Sequence, residues 1–350
     1  MVNVLIVEDS PVQQALIGHI LSADPEVTII GTANNGAEAV DFVTRQRPDV
    51  ITMDLNMPQM NGLDATRRIM ETIPVPIVIV SANWDPQEVA TTFRAMEAGA
   101  LAGVEKPRGL GHKDFETTAQ QLVQTVKLMS EVKVVRRWPR RQLESPAQPI
   151  TPPLPELSQP STTIKLVAIG ASTGGPPVLQ TLLSSLPKTF PVPVLIVQHI
   201  AVGFLPGLVE WLSQATGFAV RIPAPGELLL PGHAYLAPDG CHLAVERGPR
   251  AVLSQSPPES NLRPAVSHLF RSVAETLGNQ AVGVLLTGMG KDGAAELKVL
   301  RERGAITIAQ DKESSAVHGM PGEAIQLGAA MHILPPERIV EALVKLVSKR

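Results

Sequence analysis

The chain has 350 residues, room for about two domains of ordinary size. Its formal net charge of −3 excludes the broad basic field that binding to nucleic acid or an anionic membrane requires. The single Cys241 excludes an intrachain disulfide framework and a multi-cysteine metal site, and no apolar run reaches the ~18 residues that span a bilayer.

Short Val- and Ile-rich runs alternate with longer helical patterns from the start, as in βαβ units around a parallel sheet. Glu8 and Asp9 arrive before any signal-peptide core is long enough. The expected location is therefore the cytoplasm, without membrane insertion and without nucleic acid as a partner. Strands are predicted over 4–7, 28–31, 50–53, 77–80 and 102–104, and helices over 11–22, 36–46, 62–71, 86–98 and 113–130. Five strands and five helices in roughly 130 residues make a complete doubly wound α/β domain.

In such a sheet, ligands bind at the carboxyl ends of the strands. There the sequence puts Glu8 and Asp9 after the first strand, Asp54 after the third, Ser81 after the fourth and Lys106 after the fifth. Three converging carboxylates repel one another and call for a hard divalent cation, with Mg²⁺ favoured by an all-oxygen set. A hydroxyl and an ammonium beside them can hold the oxygens of a phosphoryl group delivered to Asp54. Singly, each residue reads as a surface acid or a helix cap; together they point to one site.

"VLIVEDS", "VITMDLNMPQMNGLD", "VIVSA" and "VEKP" match, in order, the motifs of the receiver domain of two-component response regulators, which residues 1–125 resemble. The resemblance implies a flavodoxin-like fold, Mg²⁺ at Glu8, Asp9, Asp54 and the backbone of Asn56, phosphorylation of Asp54 by a histidine kinase, and phosphoryl sensing by Ser81 and Lys106. Receivers carry Tyr or Phe three residues before the lysine. Here that residue is Gly103, so the aromatic part of the usual switch is missing.

"VVRRWPRRQLESPAQPITPPLPELSQPSTT" begins basic and becomes rich in Pro and Ser, a composition that builds no core and favours an extended spacer. Residues 126–162 are read as a linker. Arg136, Arg137, Arg140 and Arg141 read as the solvated end of the preceding helix in preference to a binding patch.

From residue 163 to 350 the alternation returns, with strands predicted over 164–169, 192–197, 234–237, 242–246, 282–286, 305–308 and 331–333. Helices are predicted over 176–185, 204–215, 264–277, 292–302, 321–328 and 336–348. "HAYLAPDGCHLAVERG" alternates on both sides of Asp239-Gly240 and reads as a β-hairpin inserted into a Rossmann-like, mostly parallel sheet.

The first of these strands runs into "IGASTGGP", which has the Gly-x-Ser-x-Gly spacing of a nucleophile elbow around Ser172. A phosphate-binding turn has similar glycines, but neither Gly-x-Gly-x-x-Gly nor Gly-x-x-x-x-Gly-Lys-Ser/Thr is present. A serine needs a base, and the next strand ends in His199. The base needs an orienting carboxylate, and "LLTGMGKDGAAEL" puts Asp292 at a strand-to-helix turn, where it also reads as the N-cap of the helix that follows. The order Ser, His, Asp differs from the Ser, Asp, His of α/β-hydrolases.

"IGASTGGP", "VQH", "YLAPDGCHL", "RPAVSHLFRSVA", "LLTGMGKDGA" and "GMPGEAI" resemble the catalytic domain of chemotaxis protein-glutamate methylesterases, in which a receiver, a linker and this domain follow in the same order. The resemblance implies Ser172 as nucleophile, His199 as general base and then acid, Asp292 as the orienting carboxylate, and Met289 close to the serine with its backbone N–H a candidate oxyanion donor; Thr173 adjoins the serine in sequence. It implies no cofactor in this domain, and methylated chemoreceptors as substrate partners, with glutamine deamidation as a second activity. Gly322 stands where a basic residue is common. An unphosphorylated receiver docked near the Ser172 rim is the expected brake. Two other classes stay open: a DNA-binding response regulator, which would need a basic helix-turn-helix after the linker, and a module in which "GASTGGP" binds a phosphate or nucleotide without covalent chemistry.

Overall fold

The structure is a computed structural model and describes residues 1–81, 86–109, 111–112, 115–132, 134 and 162–348. Most of the expected linker, with its four arginines, lies outside the described residues. Those described form two compact units.

The first unit is a five-stranded parallel sheet of β1 (Val2–Val7), β2 (Val27–Ala33), β3 (Val50–Met53), β4 (Ile77–Ser81) and β5 (Ala102–Glu105), in the order β2-β1-β3-β4-β5. Its helices are α1 (Pro11–Ser22), α2 (Gly36–Arg45), α3 (Gly62–Thr72), α4 (Pro86–Ala98) and α5 (Phe115–Ser130). β3 and β4 are buried along their whole length, as central strands covered on both faces must be. Leu5, Val7, Ile51, Met53, Ile77 and Ile79 form one face of the core with Ala39 and Val43 of α2, Ala65 and Ile69 of α3 and Ala95 of α4.

Local chemistry starts the helices. Ser10 caps α1 ahead of Pro11, whose missing N–H costs nothing at that position. Asn35 accepts from the Glu38 amide at 3.0 Å while Glu38 accepts from the Asn34 amide at 2.8 Å, a reciprocal cap for α2. The strand order reverses between β1 and β3, so their carboxyl ends open the crevice where a doubly wound sheet binds ligands.

The second unit is a seven-stranded sheet in the order β14-β13-β12-β6-β7-β9-β8, with every pairing parallel. Its strands are β6 (Leu166–Ala171), β7 (Val194–Gln198), β8 (Ala219–Arg221), β9 (His233–Leu236), β12 (Ala281–Leu285), β13 (Ile306–Gln310) and β14 (His332–Leu334). β10 (His242–Glu246) and β11 (Arg250–Ser254) form a separate antiparallel pair. The helices are α6 (Gly175–Ser185), α7 (Leu205–Thr216), α8 (Val266–Thr276), α9 (Ala294–Glu302), α10 (Met320–Gln326) and α11 (Pro336–Val347).

The predicted hairpin is shifted by one strand. The strand before Asp239-Gly240 joins the main sheet beside β7, and the strand after it turns back on β11, which the pattern did not reveal. Asp239 does not close a hairpin; its carboxylate accepts from the Gly203 amide at 2.8 Å and ties down the loop that follows β7. Local alternation reports that a strand is half-buried, not which partner it pairs with. Three-residue β8, at the sheet edge, also escaped the pattern.

The displaced hairpin has a structural role. Leu243, Val245 and Ala251 bury against Leu269, Phe270 and Val273 of α8, and burying a large apolar side chain contributes about 1.5–3 kcal/mol. The hairpin thereby fixes α8, whose first turn carries part of the site. Among the described residues, no helix is long and apolar enough to cross a membrane.

Candidate functional site

In the first unit, main-chain bonds between neighbouring strand ends bring the acidic residues together. Glu8 N donates to Ala33 O at 3.0 Å, Asp54 N to Val7 O at 2.9 Å, and Lys106 N to Ser81 O at 2.8 Å. Glu8, Asp9 and Asp54 offer carboxylate oxygens that lie within 4.8 Å of one another. Lys106 Nζ stands 2.8 Å from Glu8 Oε2 and 3.2 Å from Asp54 Oδ1. Glu8, Asp54, Ser81 and Lys106 are buried; Asp9 and Asn56 are exposed.

Burial pushes the Asp54 carboxyl up to about 6, with Lys106 opposing and Glu8 adding to the rise. Burial alone would lower Lys106, but the two carboxylates outweigh it and raise its pKa, so it stays a cation. One ammonium against three carboxyl groups leaves negative charge over at a crevice of hard oxygen donors, a set that fits Mg²⁺. At Gly62 an added Cβ would lie 2.0 Å from Asp54 O, so only glycine lets α3 start against this loop. At Gly103 a Cβ would meet Thr92 Cγ2 at 2.9 Å and Met96 Cε at 3.1 Å. The place of the missing switch aromatic is thus closed by α4.

In the second unit the three central strands β7, β6 and β12 deliver His199, Ser172 and the 286–293 loop to one rim. His199 N donates to Ala171 O at 2.9 Å, Ser172 N to Thr287 O at 3.0 Å, and Leu286 N to Gly170 O at 2.9 Å. After Ser172 the chain turns sharply: Gly175 N returns to Ser172 O at 2.8 Å, and Gly174 takes φ +76°, where a side chain would be strained. The turn of Gly288, Met289 and Gly290 packs on the serine so closely that a Cβ at Gly288 would lie 2.7 Å from Ser172 Cβ. Met289 is 49% exposed at this rim, and the Thr173 carbonyl accepts from Thr287 Oγ1 at 2.9 Å.

Asp292 Oδ2 lies 2.9 Å from His199 Nε2. It also accepts from the Val266 amide at 2.6 Å, while Oδ1 accepts from the Ser267 amide at 3.0 Å and from the Ser267 hydroxyl. Burial by itself would raise this carboxyl, but the hydrogen bonds from His199 and Ser267 outweigh it and hold the pKa below the ordinary value. The cap expected of Asp292 is therefore real but belongs to α8, 26 residues back in the chain; α9 starts after Gly293 with no side-chain cap. A carboxylate has no proton to give, so the bonded His199 Nε2 carries the hydrogen. Nδ1 is then the basic nitrogen.

Three further residues hold this arrangement, and the sequence reading gave none of them a role, although Gln198 lies in "VQH" and Ser267 in "RPAVSHLFRSVA". Gln198 donates from its amide nitrogen to the carbonyls of Ser172 and His199, each at 2.8 Å. Ser267 orients Asp292 and accepts from Gly293 N at 3.2 Å. Gln310, at the end of β13, accepts from Thr287 N at 2.8 Å. A second cluster, His242, Glu259 and His268, also brings potential ligand atoms within 4.8 Å. It does not suit a metal: His242 Nδ1 accepts from Ala265 N at 3.2 Å, its Nε2 donates to Pro257 O at 3.1 Å, and Arg271 spans both Glu259 oxygens.

Comparison with known proteins finds a family match for each unit. Residues 167–343 match the CheB methylesterase family, and residues 4–112 match the response regulator receiver domain. The chain is 58% identical to protein-glutamate methylesterase/protein-glutamine glutaminase 4 of Geobacter metallireducens, over 100% of both chains. It is 55% identical to the protein of the same name from Nitrosospira multiformis, over 100% of this chain and 98% of the other. The Thermotoga maritima CheB methylesterase catalytic domain superposes with a TM-score of 0.51 at 38% identity, covering 53% of this chain and 100% of that one.

Proposed function

We propose how the reaction runs in a chain that belongs to the CheB methylesterase family and carries a receiver domain ahead of the catalytic one. It is a hydrolase that demethylates glutamate methyl esters on chemoreceptors in sensory adaptation, releasing methanol, and deamidates receptor glutamines. The observation that carries the mechanism is the 2.9 Å pair of His199 and Asp292 at strand ends adjoining that of Ser172.

As Ser172 Oγ attacks the ester carbonyl carbon, His199 Nδ1 takes its proton, because Nε2 is committed to Asp292. Backbone N–H groups, with those of Met289 and Thr173 as candidates, hold the tetrahedral oxyanion. Collapse breaks the carbon–methoxy bond, and the leaving oxygen takes the proton from His199 and departs as methanol. Water then attacks the acyl-serine, gives its proton to His199, and the second collapse returns that proton to Ser172 and frees the glutamate. With glutamine the leaving group is ammonia. Asp292 stabilises the imidazolium in both halves.

The first unit is the regulator. Glu8, Asp9, Asp54 and the Asn56 carbonyl would hold Mg²⁺, which supplies charge neutralisation for a phosphoryl group on Asp54; the oxygen set and the buried ammonium of Lys106 support this. A histidine kinase is the phosphodonor, and Ser81 and Lys106 sense the product. α5 runs to Ser130 with Val126 and Met129 buried, so the receiver boundary expected at 125 moves to about 130: residues 1–130 act as the receiver, 131–162 as the linker and 163–350 as the esterase, and the reaction belongs in the cytoplasm. Purified full-length chain is assayed for methanol release from methylated receptor, with and without Mg²⁺ and a small phosphodonor. Methanol release that rises with phosphodonor is expected; no release by wild type, or equal release by Ser172→Ala, would overturn the assignment.

A further inference from the structure

A single buried carboxamide grips both halves of the catalytic pair. Gln198, the last residue of β7, is 5% exposed, and its Nε2 lies 2.8 Å from Ser172 O and 2.8 Å from His199 O. Two carbonyl oxygens converge on that atom, so it is the NH₂ end that faces them; the other end would set three acceptors against one another. Both amide protons are used. Its Oε1 is buried without a hydrogen-bond partner against the first turn of α6, where a Cβ at Gly175 would lie 2.1 Å away. The fold thus leaves an acceptor unsatisfied, and a glycine beside it, in order to seat this side chain.

The two carbonyls belong to the residues whose relative position decides the reaction. Ser172 O already accepts from Gly175 N at 2.8 Å, and the second donor fixes the peptide plane that aims the serine side chain. His199 O sets the plane after the base, at the mouth of the loop that Asp239 anchors through Gly203. We infer that Gln198 is a positioning residue of the esterase: its carboxamide locks the Ser172 and His199 backbones in register so that Oγ and Nδ1 meet. The inference rests on the methylesterase reading above. Misplacing reacting groups by about 1 Å costs about 100-fold, so loss of this clamp is felt in turnover more than in binding.

Gln198→Glu keeps the shape but sets an acceptor against two carbonyls, and Gln198→Met keeps the length without donors. Full-length wild type and both variants are compared for methanol release under saturating phosphodonor, below each protein's own thermal midpoint. Expected is a fall in kcat of about 10- to 100-fold in both, larger in Glu than in Met, with KM within about threefold of wild type. A role as mere filler predicts an active Glu variant, and kcat within threefold of wild type in either variant overturns the inference. Should a variant fold poorly, Gln198→Asn, whose shorter arm stops short of both carbonyls, is assayed in the same way, and kcat within threefold of wild type overturns the inference. No methanol from wild type would instead sink the esterase reading itself.

Discussion

The two rims use the same residue type in the same kind of place to opposite effect. Asp54 and Asp292 both sit buried beyond the carboxyl ends of parallel strands. Asp54 is pushed up to about 6 by burial, with Glu8 adding and Lys106 opposing. Asp292, also penalised by burial, is nonetheless pulled below the ordinary carboxyl value by donors from His199 and Ser267. Burial alone therefore does not decide a carboxylate's charge; it prevails at Asp54 and is outweighed by the donors aimed at Asp292. The receiver rim is left short of positive charge, which suits the cation binding and phosphoryl acceptance proposed for it. The esterase rim is saturated with donors, which suits the orienting role proposed for Asp292 beside a histidine that gains and loses a proton.

The largest test of this contrast is chemical. Ser172→Ala and His199→Ala are each expected to cut kcat by about 10⁴- to 10⁶-fold, and the double variant by little more than either, because the pair acts as a unit. Steady-state methanol release measures it, and additive losses would break the unit. Asp292→Asn should cost about 10⁴-fold in the same assay, since the amide favours the wrong histidine tautomer; a loss below tenfold would mean that the bond to His199 is incidental.

Next in size is the response to phosphodonor. Asp54→Asn should abolish the Mg²⁺-dependent rise in activity, and an undiminished rise would take the switch away from this rim. Ser267→Ala, which removes one hydroxyl donor from Asp292, should lower kcat by about tenfold with KM unchanged. An unchanged kcat would leave the two backbone donors as sufficient.

The smallest effect concerns stability and separates the rims by sign. The Asp292 pKa is depressed in the folded chain, so its stabilisation is complete above the ordinary carboxyl range and is lost as pH falls through it. Asp54 is raised from 3.8 to about 6, so it costs stability as pH climbs through that window. In metal-free buffer, Asp292→Asn should lower the melting temperature of its unit more at neutral pH than at pH 4. Asp54→Asn should raise that of its unit more at neutral pH than at pH 4. Scanning calorimetry checks both, and slopes of the same sign would show that burial alone governs the two carboxyls.

Much of this was legible before any coordinates. Val-rich strands ending in Glu8-Asp9, Asp54, Ser172 and His199 announce a rim, because a parallel sheet puts every strand's carboxyl end on one side. The hairpin was misassigned because alternation in 233–246 marks two half-buried strands without naming their partners. Gln198 and Ser267 stand inside the motifs "VQH" and "RPAVSHLFRSVA" without a legible role, because a glutamine inside a strand and a serine in a helix's first turn are ordinary in sequence; only their acceptors make them informative.

The amino-acid sequence by itself determined at which strand ends the candidate side chains stand, since chain order and hydrophobic period fix a doubly wound sheet locally. Only the tertiary structure decided which helix Asp292 caps, which nitrogen of His199 faces Asp292, and that one carboxamide bonds the carbonyls of both Ser172 and His199. Those are contacts between residues up to 93 positions apart, set by how sheet, hairpin and α8 pack, and no local pattern encodes them.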